Sequence, residues 1–336
     1  MIRVLGAGFY GSHLALSLLR AGHEVEVHEI ADHIFAGASG AIPARLHIGC
    51  HYPRSRMTRA ACLDHHKEFM AEYGFLTRAV PVNIYAIAAG NSLVDFDQYT
   101  QTLHGEIEFL TLHDPEEFGL RNVEGAIMVG ERHIVTDDAR AYFERAFHGA
   151  ASCEVFYNTP PGTVDSKEWD WTIDATFCAN DSAGVDRYEP CLVVLLFGPT
   201  DRAVTIMDGP FPSLYPWKED KGLSSLSSAL WTPFSKTCRT WADARSLIDD
   251  LTADEINRQV DGMVASMAEF YPAIREQYRV VDYRLSIRAM PLSGADTRLV
   301  DVVKVGERVL RVRAGKIDAI IHAERLVKDM IECPSA

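Results

Sequence analysis

Glycines at positions 6, 8 and 11, with an acid further on at Glu29, are the residues whose types and spacing most directly imply chemistry. Gly6 permits a tight turn, Gly8 leaves room for backbone to approach a phosphate, and Gly11 lets a helix pack closely on the preceding strand. The helix start that this turn creates, at Phe9 and Tyr10, offers free N–H groups and a positive dipole end to an anion. A carboxylate at Glu29 can accept hydrogen bonds from ribose hydroxyls and disfavours a 2′-phosphate. Together these residues predict a site for a dinucleotide diphosphate.

A second group follows closely. Residues 37–41 are small, so backbone at Ser39 and Gly40 can approach a planar ring, and Arg45 and Leu46 continue the same segment. Residues 45–67 then carry Arg45, Arg54, Arg56, Arg59, Lys67 and four histidines against a single acid, Asp64. In a chain of formal net charge −14 such a stretch can face an anionic ligand, the alternative for Arg56, Arg59 and Lys67 being a solvated helix surface. His47 and His51 can orient a substrate or hold a proton, or simply complete hydrogen bonds. As a pair without a third ligand they do not indicate a metal, and none is expected. Tyr52 brings a phenol to the same place or packs on Pro53. Far along the chain, Arg288 can grip a substrate carboxylate bidentately, or form a salt bridge between domains. Asp174 and Thr176 read as supports of a strand end, and Tyr215 and Trp217 as a pocket wall or ordinary sheet packing. No Ser-His-Asp order, HExxH, P-loop lysine or paired-carboxylate signature appears, which suits chemistry carried by a bound cofactor.

The elements that must hold these residues alternate in type. Ile2 to Leu5 and the run Val25, Val27, Ile30 read as buried parallel strands joined by a helix in which Ala15 packs closely and which Gly22 ends. Segments 81–88, 106–112, 125–129, 190–197 and 203–208 read as strands without crossover helices, as in an antiparallel sheet. Thr136 opens a helix burying Ala139, Tyr142, Phe143 and Ala146, followed by the strand CEVFY, and residues 169–180 give another strand. Thr252 and Glu255 form a capping box before a helix with Ile256, Val260, Met263, Val264 and Met267 inward. VLRVR, Gly315 and a final apolar-faced helix close the chain. The fold class expected is α/β, α+β overall: a Rossmann-like cofactor domain (1–80, 130–185 and 285–336) wrapped around an inserted antiparallel-sheet substrate domain (81–129 and 186–284).

Composition bounds the setting. A chain of 336 residues, 47% hydrophobic and 24% charged, is ordinary for a globular protein with two layered domains. Its acidity argues against nonspecific nucleic-acid binding, and neither a membrane span nor a secretory leader is expected. Seven scattered cysteines without a CxxC pair suggest neither a disulfide framework nor zinc, and fit a reducing cytoplasm.

The chain resembles the D-amino-acid-oxidase superfamily of FAD flavoproteins, which includes glycine oxidase and the L-2-hydroxyglutarate oxidases. Four segments carry the likeness: GAGFYG through Glu29; GASGAIPARLHIGCHYPRS at 37–55; TIDATFCAN at 172–180; and RAMPLSGADTR with RVRAGKIDAI at 288–298 and 311–320. The resemblance implies FAD as cofactor, a second flavin-contacting loop at Ser39, Gly40, Arg45 and Leu46, and a strand ending beside the flavin at Thr176. It also implies a final flavin-contacting turn at Gly315, Lys316 and Ile317, a substrate-binding arginine at Arg288, and, as in some members, flavin attachment to a histidine such as His47 or His51. The activity implied is hydride transfer from a C–H bond bearing an amine, in a small anionic substrate, to flavin N5. Oxidation of a 2-hydroxy acid is the alternative suggested by HIGCHYPRS; a non-redox flavoprotein such as a sugar mutase and an NAD-dependent dehydrogenase are further readings.

Overall fold

The computed structural model describes residues 1–160, 162, 164–165, 167–180, 185–234, 237–291 and 300–332 of the chain. The short apolar runs Ile2–Leu5 and Val25–His28 pair in parallel with each other and with Trp171–Asp174 and Cys153–Phe156, flanked by Val309–Arg313 and the antiparallel Asp301–Gly306. In this six-stranded sheet the strand Ile2–Leu5 is buried along its whole length, the pattern a parallel strand covered on both faces requires. The strand expected to reach Ile30 instead stops at His28. Glu29 turns back to accept the Ala7 and Ala31 amides, which leaves Ile30 70% exposed.

The first helix, Phe9–Arg20, lies between this sheet and the final helix, Ile320–Glu332. Phe9, Phe35, Phe69, Tyr73 and Phe143 interlock beneath it at ring separations of 5.2–6.2 Å. Each buried ring of this kind contributes about 1.5–3 kcal/mol, so the helix start is fixed by its core. The helix Thr136–His148 buries Ala139 and Phe143 as expected, and Phe147 as well, whereas Tyr142 and Ala146 are only half-buried at its edge.

The second sheet has eight strands in the order Arg279–Pro291, Val185–Phe197, Leu223–Ser228, Pro212–Lys218, Arg202–Met207, Val82–Ala88, Val123–Val129 and Phe109–Leu112. It is mixed, not purely antiparallel as expected: Arg202–Met207 runs parallel to Val82–Ala88. Parallel neighbours need a long crossover, and the excursion through the six-stranded sheet between these strands supplies it. Strands 212–218, 223–228 and 279–291 complete the eight-stranded sheet beyond the expected segments; the last pairs with Val185–Phe197 along its length and runs unbroken across position 285. The helix Ala253–Phe270, opened by the Thr252/Glu255 capping box, covers one face with Met263, Met267 and Phe270.

A small third sheet, Ala44–Leu46, Arg132–Ile134 and Thr77–Ala79, joins the two. It carries Arg45 on its first strand and delivers His47 just beyond.

Candidate active site

At the glycine turn, Gly6 has φ +87°, and a Cβ on Gly11 would lie 1.8 Å from the Gly6 carbonyl oxygen. Gly8 caps the first helix without a side-chain hydrogen bond to it. The Phe9 amide donates to Ser39 Oγ at 2.9 Å, so Ser39 sits at the helix N-terminus. Phe9 thus offers its amide while its ring belongs to the core. Gly40 is required by the same loop, because a Cβ there would meet the Phe35 carbonyl oxygen at 2.2 Å. Glu29 accepts from Ala7 N at 2.6 Å and from Ala31 N at 3.0 Å. Tyr10 OH donates to the Lys316 carbonyl, tying this helix start to the final turn.

These features fit FAD. The cradle is one that a single methyl group would fill, and its helix amides lack a charged cap. Beside the final turn, Asp318 is 1% exposed and neither carboxylate oxygen meets a donor on another of the described residues. Burial, opposed by Lys316, lifts this carboxyl to about 6. Leu46 and Ile317 pack against the core of the six-stranded sheet, and Thr176 donates through N and Oγ1 to Asp174 at 3.1 and 2.6 Å. Asp174 also accepts from Arg311 Nε at 3.1 Å. These residues shape the groove by holding strand ends and turns in place.

A cavity of about 610 Å³ opens between the loop 38–55, the inner face of the eight-stranded sheet, and the Arg313–Gly315 turn. His47, His51, Tyr52, Arg45, Arg288 and Gly315 all line it, so residues separated by up to 270 positions in sequence converge. The His47 and His51 ring centroids are 5.6 Å apart and those of His51 and Tyr52 5.3 Å. Lys316 Nζ lies 3.8 Å from the centroid of the Tyr52 ring and 2.7 Å from Cys62 Sγ. Arg59 is buried and donates to the Tyr52 and Pro53 carbonyls at 3.1 and 2.8 Å, clamping this loop. Arg56 and Lys67, 86% and 74% exposed, form the solvated surface that was their alternative reading.

Four arginines line the cavity. Arg288 is held by Glu189, with Nε at 3.0 Å, directly across the antiparallel pair formed by 185–197 and 279–291. It is therefore an ion pair within one sheet, not between domains. Arg54 donates to Asp208 at 2.6 Å and Arg313 to Asp301 at 3.4 Å. Arg45 alone meets no carboxylate among the described residues; its guanidinium lies 4.2 Å over the buried Tyr215 ring, with Nη1 3.4 Å from Thr205 Oγ1. Trp217 lies outside this cavity, in a smaller recess with His133.

Two residues behind the histidines went unseen in the sequence. Glu131 is 0% exposed and accepts from Tyr85 OH at 2.6 Å and the Ile48 amide at 3.0 Å. Burial pushes its carboxyl up, but His47 and the donors Tyr85 and Ile48 outweigh that and hold it below the ordinary value. Burial lowers the His47 imidazole despite Glu131, with Lys316 and Arg45 adding to the effect. The only sequence signal was antiparallel register: Leu46 faces Arg132, which sets 47 opposite 131.

The family model described as FAD dependent oxidoreductase, DAO, matches residues 1–191. The chain is 32% identical over 336 residues to the FAD-dependent monooxygenase FPY4 of Fusarium mangiferae, with 98% of this chain and 90% of the relative covered. It is 24% identical over 366 residues to the FAD-dependent monooxygenase kojA of Aspergillus flavus, covering 98% and 85%. Among solved structures it superposes on glycine oxidase from Geobacillus kaustophilus with TM-score 0.70 at 16% identity, covering 98% and 94% of the two chains. Iminodiacetate oxidase from Chelativorans sp. gives 0.71 at 11%, covering 99% and 95%. The structural likeness shows the shared fold, and with the match across more than half the chain the conclusion is plain: this protein belongs to the DAO family of FAD-dependent oxidoreductases.

Proposed function

We propose that this enzyme oxidises a small anionic substrate at a C–H bond bearing an amine, within the cavity between the two large sheets. The observation that carries the reading is Arg45: a cation without a carboxylate partner among the described residues, beside His47 in an otherwise ion-paired cavity. An unpaired guanidinium in such a site is suited to bidentate capture of a substrate carboxylate. That role was expected of Arg288, whose guanidinium is instead engaged by Glu189. Arg288 then lines the site as part of a fixed wall with Arg187, which donates to the same Glu189 at 2.8 Å.

In this reading Gly6, Gly8, Gly11, the Tyr10 amide and Glu29 would hold the dinucleotide end of FAD, with the Phe9 amide engaged by Ser39. Ser39, Gly40, Gly315 and Lys316 would border its ring. FAD supplies a two-electron acceptor. The chain's work is to anchor the substrate through Arg45, align its C–H bond, exclude water and move the accompanying proton through the His47, His51 and Tyr52 cluster. The two named oxidases of amino compounds with this fold support the amine reading.

The names of the two sequence relatives favour a second reading, incorporation of an oxygen atom into the substrate. Product analysis under labelled dioxygen separates the two. Amine oxidation gives an imine whose hydrolysis releases ammonia or a smaller amine, the new carbonyl oxygen coming from water and carrying no label from dioxygen. Label retained in the organic product with no amine released would replace the first reading by the second.

No helix among the described residues is long and apolar enough to cross a membrane. The six described cysteines are free thiols, which supports the proposal that the enzyme works in the reducing cytoplasm.

A further inference from the structure

The carboxylate of Glu131, behind His47, is 0% exposed, and a buried carboxylate costs several kcal/mol unless it is paired and hydrogen-bonded. Three groups meet it: the Ile48 amide at 3.0 Å, Tyr85 OH at 2.6 Å and His47 Nδ1 at 3.5 Å. The acid and its side-chain partners come from three places. His47 follows the strand Ala44–Leu46, Glu131 precedes the strand Arg132–Ile134 that pairs with it, and Tyr85 stands in the middle of Val82–Ala88 in the eight-stranded sheet. The three-stranded sheet thus exists at this end to bring one histidine and one acid together under the cavity floor.

His47 is 17% exposed on its cavity side. Its Nδ1 faces two oxygens, Glu131 Oε1 and Tyr85 OH, each at 3.5 Å. Tyr85 already gives its proton to Glu131, so both oxygens can only accept from Nδ1. A proton on Nδ1 leaves Nε2, on the opposite side of the ring, with its lone pair toward the cavity that His47 lines.

We propose that Glu131 is a positioning residue that fixes His47 in the Nδ1–H form, so that His47 Nε2 is the acceptor of the proton the substrate loses on oxidation. This rests on the function proposed above. As the substrate carbon gives up its hydride to the two-electron acceptor, an N–H bond on the adjacent nitrogen breaks. Its electron pair closes the C=N bond and its proton passes to Nε2. The imidazolium so formed is balanced by Glu131, a carboxylate that needs no movement to meet it. A 2-hydroxy acid would lose its O–H proton to the same atom, forming C=O.

The groups facing His47 set the pH behaviour: Glu131 and Tyr85 behind it, Arg45 two residues before it, His51 and Tyr52 at 5.6 and 6.5 Å between centroids, and Lys316 from the final turn. Glu131 favours the cation; Arg45 and Lys316 oppose it. Removing the charge with Glu131→Gln is therefore expected to move the acid limb of kcat/KM to lower pH by about one pH unit, and to lower kcat about 10–100-fold. Tyr85→Phe, which takes a donor from the carboxylate and makes it more basic, is expected to move the limb the other way. Glu131→Asp is expected to recover part of kcat.

The test pairs these profiles with ¹⁵N NMR of histidine-labelled, FAD-loaded protein, in which His47 is assigned by loss of its signal in His47→Asn. Wild type is expected to show Nδ1 protonated and Nε2 bare at neutral pH, with that preference weakened in Glu131→Gln. The NMR arm needs no substrate and stands even if the amine reading fails. A mixed or Nε2-protonated tautomer in wild type, or acid limbs unmoved in both Glu131→Gln and Tyr85→Phe while FAD content is retained, overturns the proposal.

Discussion

Arg45 and Arg288 carry the same charge into one cavity but differ in what already holds them. Arg288 has Glu189 at 3.0 Å, whereas Arg45 has an aromatic face and a distant hydroxyl. A charge-assisted hydrogen bond to a substrate carboxylate contributes about 1.5–3 kcal/mol, so Arg45→Met is expected to raise KM for a carboxylate substrate roughly 10–100-fold. It should spare KM for the corresponding amine without the carboxylate. Arg288→Ala is expected to change KM less, and steady-state kinetics on the two variants decides which arginine is the anchor. Asp318 makes a separate claim. Its carboxyl is lifted from the ordinary 3.8 to about 6, so the folded chain holds this proton more tightly than the unfolded one, and stability falls as pH rises through that interval. Asp318→Asn should therefore stabilise the FAD-free protein at pH 8 by roughly 2–3 kcal/mol, with a smaller gain at pH 5. Thermal melts at the two pH values check this; an equal gain at both contradicts it.

In the proposed reading, the glycine turn is the element on which FAD binding depends. With the Gly6 carbonyl 1.8 Å from a Cβ on Gly11, Gly11→Ala must open the turn, an overpacking cost of about 1–3 kcal/mol. The variant is expected to purify folded by circular dichroism but with at least tenfold weaker FAD binding, read from the flavin absorbance per protein after dialysis. This element was legible in the sequence because its requirements are local: turn, close approach and helix start lie within a few residues, and Glu29 ends the next strand. The helix Ala253–Phe270 was legible for the same reason, through its capping box. Other features rest on contacts between distant segments. The parallel junction of 82–88 with 202–207 depends on the route of the intervening chain, and Glu131 gains meaning only when the register Leu46 to Arg132 is known. Arg288 lines the cavity, yet its partner Glu189 lies on a strand whose pairing periodicity alone does not reveal.

At the scale of the molecule, two large sheets of different type share the work. The six-stranded sheet holds the glycine turn, the eight-stranded sheet walls the cavity, and the small sheet, with Arg45 on its first strand and His47 just beyond, joins them. FAD that binds the native fold but not the unfolded chain must raise the melting temperature as its concentration exceeds Kd. The central claim, oxidation of an anionic amine between the two sheets, is tested most directly by mixing the FAD-loaded enzyme anaerobically with a panel of small amino acids and their 2-hydroxy analogues while the visible flavin band is followed. The account predicts loss of the band with at least one amino acid and not with its hydroxy analogue. Bleaching by NADPH alone, or by hydroxy acids with every amino compound inert, would contradict it.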